Sequence, residues 1–171
     1  MEHAIGAQLA SRLAEAKCMA RAFELLTSVP FIGPFLAYQY ATDLNYSELT
    51  DFGEDEFTIA GPGAVDGIHK CFAGANSVHC SDVIRYMWEN QETHFTASNI
   101  KFESLWGRPL QLIDCQNIFC EISKYARVAF PEYRGVAGRT RIKQRFQMTS
   151  RLPEPWYPPK WGINERIVAL A

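Results

Sequence analysis

Apolar residues recur at steps of three and four along the first part of the chain: Ile5, Leu9, Leu13, Ala16, Ala20 and Phe23. That spacing predicts an amphipathic helix over about 3–27. A second helix is expected from Pro34 to about Tyr46, with Leu36, Ala37, Tyr40, Ala41 and Leu44 facing inward. Residues 47–60 are acidic and aperiodic, and read as a loop. Ser81 is placed to cap a helix running to about Phe95, with Val83, Ile84, Met87, Trp88 and Phe95 on its buried side. Pro109 suits a first helical position, and the helix it opens should run to Phe130 with Leu112, Cys115, Phe119, Ile122, Ala126 and Ala129 toward the core. No alternating run is long enough to build a sheet. The tail PEPWYPPKWG, 153–162, reads as extended and wrapped on the surface through Trp156 and Trp161. The expected fold is all-α, one helical domain over 1–171 with an irregular C-terminal tail.

The stretch from Val29 to Lys70 carries the first candidate chemistry. In VPFIGPFLA the chain leaves a helix near Ser28, turns through 29–33 and restarts at Pro34, where the fixed φ and missing N–H of proline are no handicap. Free backbone N–H groups at such a start can hold an anion, which makes Gly33 a candidate DNA-backbone contact. In GPGAVDGIHKCF, Gly61, Pro62 and Gly63 open a short helix in the same way, a candidate substrate-phosphate site. Either motif alone is also what an ordinary turn between helices looks like. Asp66, just inside the second helix, is a candidate catalytic carboxylate.

Composition narrows the class. At 171 residues and 47% hydrophobic, the chain can bury one core of ordinary domain size. Its five cysteines form no CxxC pair and are odd in number, as expected of reduced thiols in an intracellular protein. His69, Cys71, His79 and Cys80 fit no common zinc spacing, so no metal or cofactor is expected. Met1 to Ala20 contains Glu2, Arg12, Glu15 and Lys17, and so lacks the apolar run of a signal peptide or membrane span. Net charge is −2 but unevenly spread: between Ala22 and His69 there are eight acids and no Lys or Arg. From Lys124 to Arg151 there are eight basic residues, Lys124, Arg127, Arg134, Arg139, Arg141, Lys143, Arg145 and Arg151, against the single acid Glu132. That segment is a candidate phosphate footprint, or else a solvated basic face.

The helix expected over 109–130 carries a second stripe, Asp114, Asn117, Glu121 and Lys124, away from its core side. The stripe is either a salt-bridged solvent face or the wall of a cleft. In the second case Asp114 or Glu121 takes a proton and Lys124 offsets negative charge on a substrate.

VPFIGPFLA followed by Val65-Asp66-Gly67-Ile68-His69-Lys70 resembles the hairpin and V-D-T-H-[RK] segment of helix-hairpin-helix DNA glycosylases, where the Asp is catalytic. The order agrees, but 28 residues separate Ala37 from Asp66, a longer spacer than theirs, Phe31 replaces a hairpin Gly, and Gly67 replaces Thr. GPFLAYQYATDLNY, AGPGAVDGIHKCF, GRPLQLIDCQNIFCEISKYARV and GRTRIKQRF together resemble the helical domain of 5-hydroxymethyluracil DNA kinases and the related α-glutamyl/putrescinyl thymine pyrophosphorylases, the amino acid:DNA transferases, over roughly 20–163. That resemblance implies a glycosylase-like helical fold, with a helix-hairpin-helix-like region at about 20–75. It also implies a role in thymine hypermodification, known chiefly from phage, in which an amine displaces pyrophosphate from pyrophosphorylated 5-hydroxymethyluracil in DNA. GxxxxGK[ST] is absent, so the chain is not itself a P-loop kinase.

On this reading the partners are double-stranded DNA bearing a modified pyrimidine, an amino acid or polyamine, and a partner kinase, with no membrane. The implied roles are Asp66, Asp114 and Glu121 as catalytic carboxylates. Gly61, Pro62, Gly63, Asn117, Lys124, Arg139, Arg141 and Lys143 would bind substrate, and Gly33, Arg127 and Arg145 the DNA. Two alternatives remain open: a non-catalytic DNA-binding domain serving such a kinase, and a glycosylase that depends on Asp66.

Overall fold

The computed structural model describes residues 8–103, 106–142, 147 and 155–167. Among them are seven α-helices and no strand: α1 (Leu9–Ala14), α2 (Met19–Thr27), α3 (Pro34–Asn45), α4 (Pro62–Cys71), α5 (Cys80–Glu89), α6 (Gln91–Ala97) and α7 (Leu112–Ala129). Short 3-10 turns lie at Ala75–Ser77, Pro159–Trp161 and Asn164–Arg166. The fold is all-α, as the periodicity predicts.

Two apolar clusters meet at the start of α7. One gathers Leu13, Met19, Ala22, Leu25, Leu26, Ala37, Tyr38, Ala41 and Phe52 from α1, α2, α3 and the acidic loop, and is closed by Ile113. The other gathers Ala64, Ile68, Ala75 and Ile84 around Leu112, Cys115 and Phe119 of α7. Adjacent residues of α7 thus serve different cores. Among the described residues α4 and α7 are the most extensively packed helix pair, and Gly67 lets the backbone of α4 approach the carbonyl of Phe119 where any Cβ would overlap it.

Several boundaries depart from the periodic expectation. The helix expected over 3–27 is two helices in its described part, broken at 15–18, where Cys18 is extended at φ −156. Leu13 and Met19 are both buried, yet six residues apart in one straight helix they would stand roughly 240° around it from each other. The break brings both to one core. On α3 the inward face is Ala37, Tyr38, Ala41, Thr42 and Asn45, while Leu36 and Tyr40 are exposed. Polar anchoring turns that helix: the Asn45 amide donates to the Phe52 carbonyl at 3.0 Å and accepts from the Phe52 N–H at 2.8 Å, and Tyr38 Oη bonds Thr58 at 3.2 Å.

Ser81 is not a cap; His79 precedes the helix, which stops at Glu89 before α6 begins. Nor does Pro109 open α7. Gln111 does, in a reciprocal capping box with Asp114, so the carboxylate anchors the helix start. Ser123 and Gln116 join the buried face of α7 and Ala129 leaves it; Ser123 finds a partner in Asp66 of α4, and Gln116 bonds Asn117 beside it. Of the two tail tryptophans Trp161 is packed, whereas Trp156 is 76% exposed.

Candidate functional site

Two helices open on a Gly-Pro pair, and a side chain from the first turn of one packs on the start of the other. Gly33 is extended at φ −77 and Gly61 at φ −68, each followed by Pro at the first helical position, and neither start has a side-chain cap. The Phe35 ring from the first turn of α3 lies on Gly61 so closely that a Cβ there would stand 2.5 Å from it. Gln116 of α7 fills the other side of Gly61 and donates to Asn117 Oδ1 at 2.7 Å. Cys120 of α7 closes on Gly63. The Phe35 ring thus links the two helix starts, and each helix presents the positive end of its dipole at its own start.

Asp66 follows one turn later on α4 and is fully buried. Ser123 Oγ donates to its Oδ2 at 2.6 Å, and the Ala137 N–H to its Oδ1 at 2.8 Å. Lys70 Nζ lies 3.1 Å and an Arg127 guanidinium nitrogen 3.5 Å from the same Oδ2. Arg127 also donates to Ser123 Oγ at 2.8 Å, and Lys70 to the Ser123 carbonyl at 3.3 Å. The spacing explains the cluster: Asp66 and Lys70 are one turn apart on α4, Ser123 and Arg127 one turn apart on α7. Burial alone would raise the Asp66 carboxyl, but the bonds from Ser123, Ala137 and Lys70 outweigh it and hold the group below its ordinary value. A carboxylate so satisfied is a weak base at neutral pH. Its geometry is that of a clasp.

The clasp fixes the chain after α7. Gly135 has φ +59, and a Cβ on it would overlap Asp66 Oδ1 and crowd the Lys70 stem, so the segment closes over Asp66 only with glycine there. Arg134, Arg139 and Arg141, on either side of this turn, are exposed. Arg127 is turned inward, its side chain only 8% exposed. Lys143 and Arg145 lie outside the described residues.

The remaining candidates stand apart from Asp66. Asp114, Asn117 and Glu121 line an open groove of about 480 Å³ with Leu110, Ile118, Ile122 and Tyr125. Asp114 accepts from the Gln111 N–H at 2.8 Å and has Arg108 at 3.6 Å; Glu121 pairs with Lys124, whose ammonium that bond holds above its ordinary value. Ser123 is two residues from Glu121, roughly 200° around the helix, so clasp and groove occupy different sides of α7. Burial pushes the Cys115 thiol up to about 11, which makes it packing and not a nucleophile.

Sequence reasoning missed Lys70 and Ser123 as partners of Asp66; the i,i+4 spacing of Asp66 and Lys70 was there to be read, whereas Ser123 reaches Asp66 only through the packing of α4 on α7. It also missed Arg108, which pairs with Glu54 and stacks 3.7 Å over the Trp161 ring. Against known proteins, the family model described as "5-hmdU DNA kinase, helical domain" matches residues 1–135. That span takes in both Gly-Pro starts, the clasp residues on α4 and α7, and the groove, and stops before Arg139 and Arg141. No curated protein and no solved structure matches the chain.

Proposed function

Because the chain belongs to the family of 5-hmdU DNA kinase helical domains, which sets it in the modification of 5-hydroxymethyluracil in DNA, we propose that it is the part of that machinery that grips the DNA. The reading is supported by two uncapped Gly-Pro helix starts, Gly33–Pro34 and Gly61–Pro62, linked through the Phe35 ring. Uncapped first-turn amides of α3 and α4 are donors for phosphate oxygens, with the helix dipoles adding to the attraction. The clasp at Asp66 ties Ala137 to α4, and the exposed Arg134, Arg139 and Arg141 flank that residue in sequence, where they would extend the phosphate contact. A net charge of −2 leaves binding to this local patch.

The test is anisotropy of a labelled duplex containing 5-hydroxymethyluracil, titrated at stepped salt. Affinity should fall with salt, and Arg139→Ala and Arg141→Ala should each lower the slope by about 1. Binding that is absent, or indifferent to salt, sinks the proposal.

A second reading is favoured by the groove on α7. Its carboxylates Asp114 and Glu121 suit an amine, which they can hold as ammonium or relieve of a proton. The neutral amine nitrogen then attacks the exocyclic methylene of pyrophosphorylated 5-hydroxymethyluracil, the carbon–oxygen bond breaks, and pyrophosphate leaves with the electron pair. Amides at Gly61–Gly63, with Arg139 and Arg141, are the donors for that leaving charge. Incubation of such DNA with amines, followed by mass spectrometry of the nucleosides, decides it. Unchanged substrate with every amine excludes amine transfer and leaves DNA binding standing.

A further inference from the structure

Tyr125, Phe130 and Tyr133 form an aromatic cluster at the end of α7 and just beyond it. Tyr125 and Phe130 meet edge to face with centroids 6.0 Å apart at 74°, and Phe130 and Tyr133 at 6.4 Å and 79°. The three remain 64%, 46% and 60% exposed. The cluster belongs to neither apolar core; Tyr125 also lines the groove on α7, and Phe130 and Tyr133 extend beyond that groove. Aromatic surface left in water over three neighbouring rings marks an interaction site. Charge decides what fits it: Arg134, Arg139 and Arg141 follow at once, all exposed, and Glu132 is the one acid between Lys124 and Arg151.

We infer that Tyr125, Phe130 and Tyr133 are a stacking platform for unpaired DNA bases, with the adjoining arginines holding the phosphates of the same strand. Bases present π faces and their strand presents anions, so one ligand satisfies both halves of the surface. An apolar protein face would cover the rings and leave three arginines without partners. The platform is also held firmly: Tyr125 rides on α7, and the clasp bond from Ala137 to Asp66 ties down the segment that follows Tyr133. Enzymes that act on a base must take it out of the duplex, and unpaired DNA near the site is then to be expected. The inference rests on the DNA-gripping reading and adds to it the strand type and the residues that meet the bases.

The experiment compares three labelled DNAs by anisotropy: a single strand, a fully paired duplex, and a duplex with an unpaired stretch. Tyr125→Ala and Tyr133→Ala, both at mostly exposed positions, should each weaken the single strand and the unpaired stretch roughly tenfold while changing the paired duplex less than about twofold. Tyr125→Phe and Tyr133→Phe keep the rings and should bind like the parent. Circular dichroism melts verify that each variant is folded. Equal losses on all three DNAs, or no loss on the single strand in the Tyr125→Ala/Tyr133→Ala double variant, overturn the platform. Salt-dependent duplex binding that persists in that case leaves the gripping reading intact, whereas a parent protein that binds none of the three DNAs defeats both. Self-association that the double variant abolishes, with single-strand binding unchanged, reassigns the rings to a protein interface.

Discussion

Phe31 combines two costs at one residue: its backbone is left-handed at φ 69, and its side chain is wholly in water. The left-handed region costs a non-glycine residue about 1–2 kcal/mol, and glycine removes that cost while adding about 0.5–1 kcal/mol of unfolded-chain entropy. Phe31→Gly should therefore raise stability by up to about 1 kcal/mol, a gain of a few degrees in Tm; a lower Tm shows that the ring makes a packing contact. Asp66 works in the opposite sense. Asp66→Asn leaves Lys70 and Arg127 buried against a neutral amide, and should cost about 3–5 kcal/mol in urea unfolding. Because the folded carboxyl lies below its unfolded value of about 3.9, its contribution is present above that pH and lost as pH falls below it. The stability of the parent should drop on acidification below about pH 4, and Asp66→Asn should flatten that limb. An unaltered acid limb in Asp66→Asn would mean that the carboxylate is not held below its ordinary value. The local run GAVDGIHK was enough to single out Asp66, but its function as a clasp was not legible, because Ser123 and Arg127 reach it only when α4 and α7 lie side by side.

Helices gave up their secrets unevenly. Pro34 and Pro62, each after a glycine, mark the starts of α3 and α4, whereas Pro109, read by the same rule, opens no helix. The break at 15–18 and the stop after Glu89 are set by tertiary contacts, and a run of apolar residues at helical spacing reads straight through both. Pairing of α4 with α7 was likewise hidden, since what permits it is the missing side chain of Gly67. Gly67→Ala places a methyl group on the Phe119 carbonyl and should cost about 1–3 kcal/mol or more, as overpacking does. Gly33→Ala, with φ −77 and nothing within 4 Å of the added Cβ, should leave Tm within about 1 °C. Thermal melts of the two variants separate close approach from mere helix-start chemistry: equal losses would mean that both glycines serve the backbone alone.

At the scale of the molecule, Trp161 is a central tie between the C-terminal segment and the helices, beside Lys160, which donates to Asn45 Oδ1 and the Thr50 carbonyl. Trp161 donates from Nε1 to Glu54 at 2.8 Å, carries the Arg108 guanidinium 3.7 Å above its face, and meets Tyr46 and Tyr157 at centroid distances of 5.4 and 5.9 Å. Arg108 in turn pairs with Glu54 and reaches Asp114 at the start of α7, so acidic loop, tail and helix share one set of charges. Trp161→Ala removes the ring between them and leaves Glu54 and Arg108 to each other. Loss of a partly buried tryptophan with its hydrogen bond should cost about 2–4 kcal/mol. The more telling effect is local: protease sites in 155–167 should be cut many times faster while α4 and α7 stay protected, since the clasp at Asp66 does not depend on the tail. Trp156→Ala, at a ring 76% exposed, should leave the cleavage rate unchanged. Mass spectrometry of the early fragments reads both. If Trp161→Ala loosened α4 and α7 together with the tail, the segment would be part of one cooperative unit with the helices, and the site on them would depend on it.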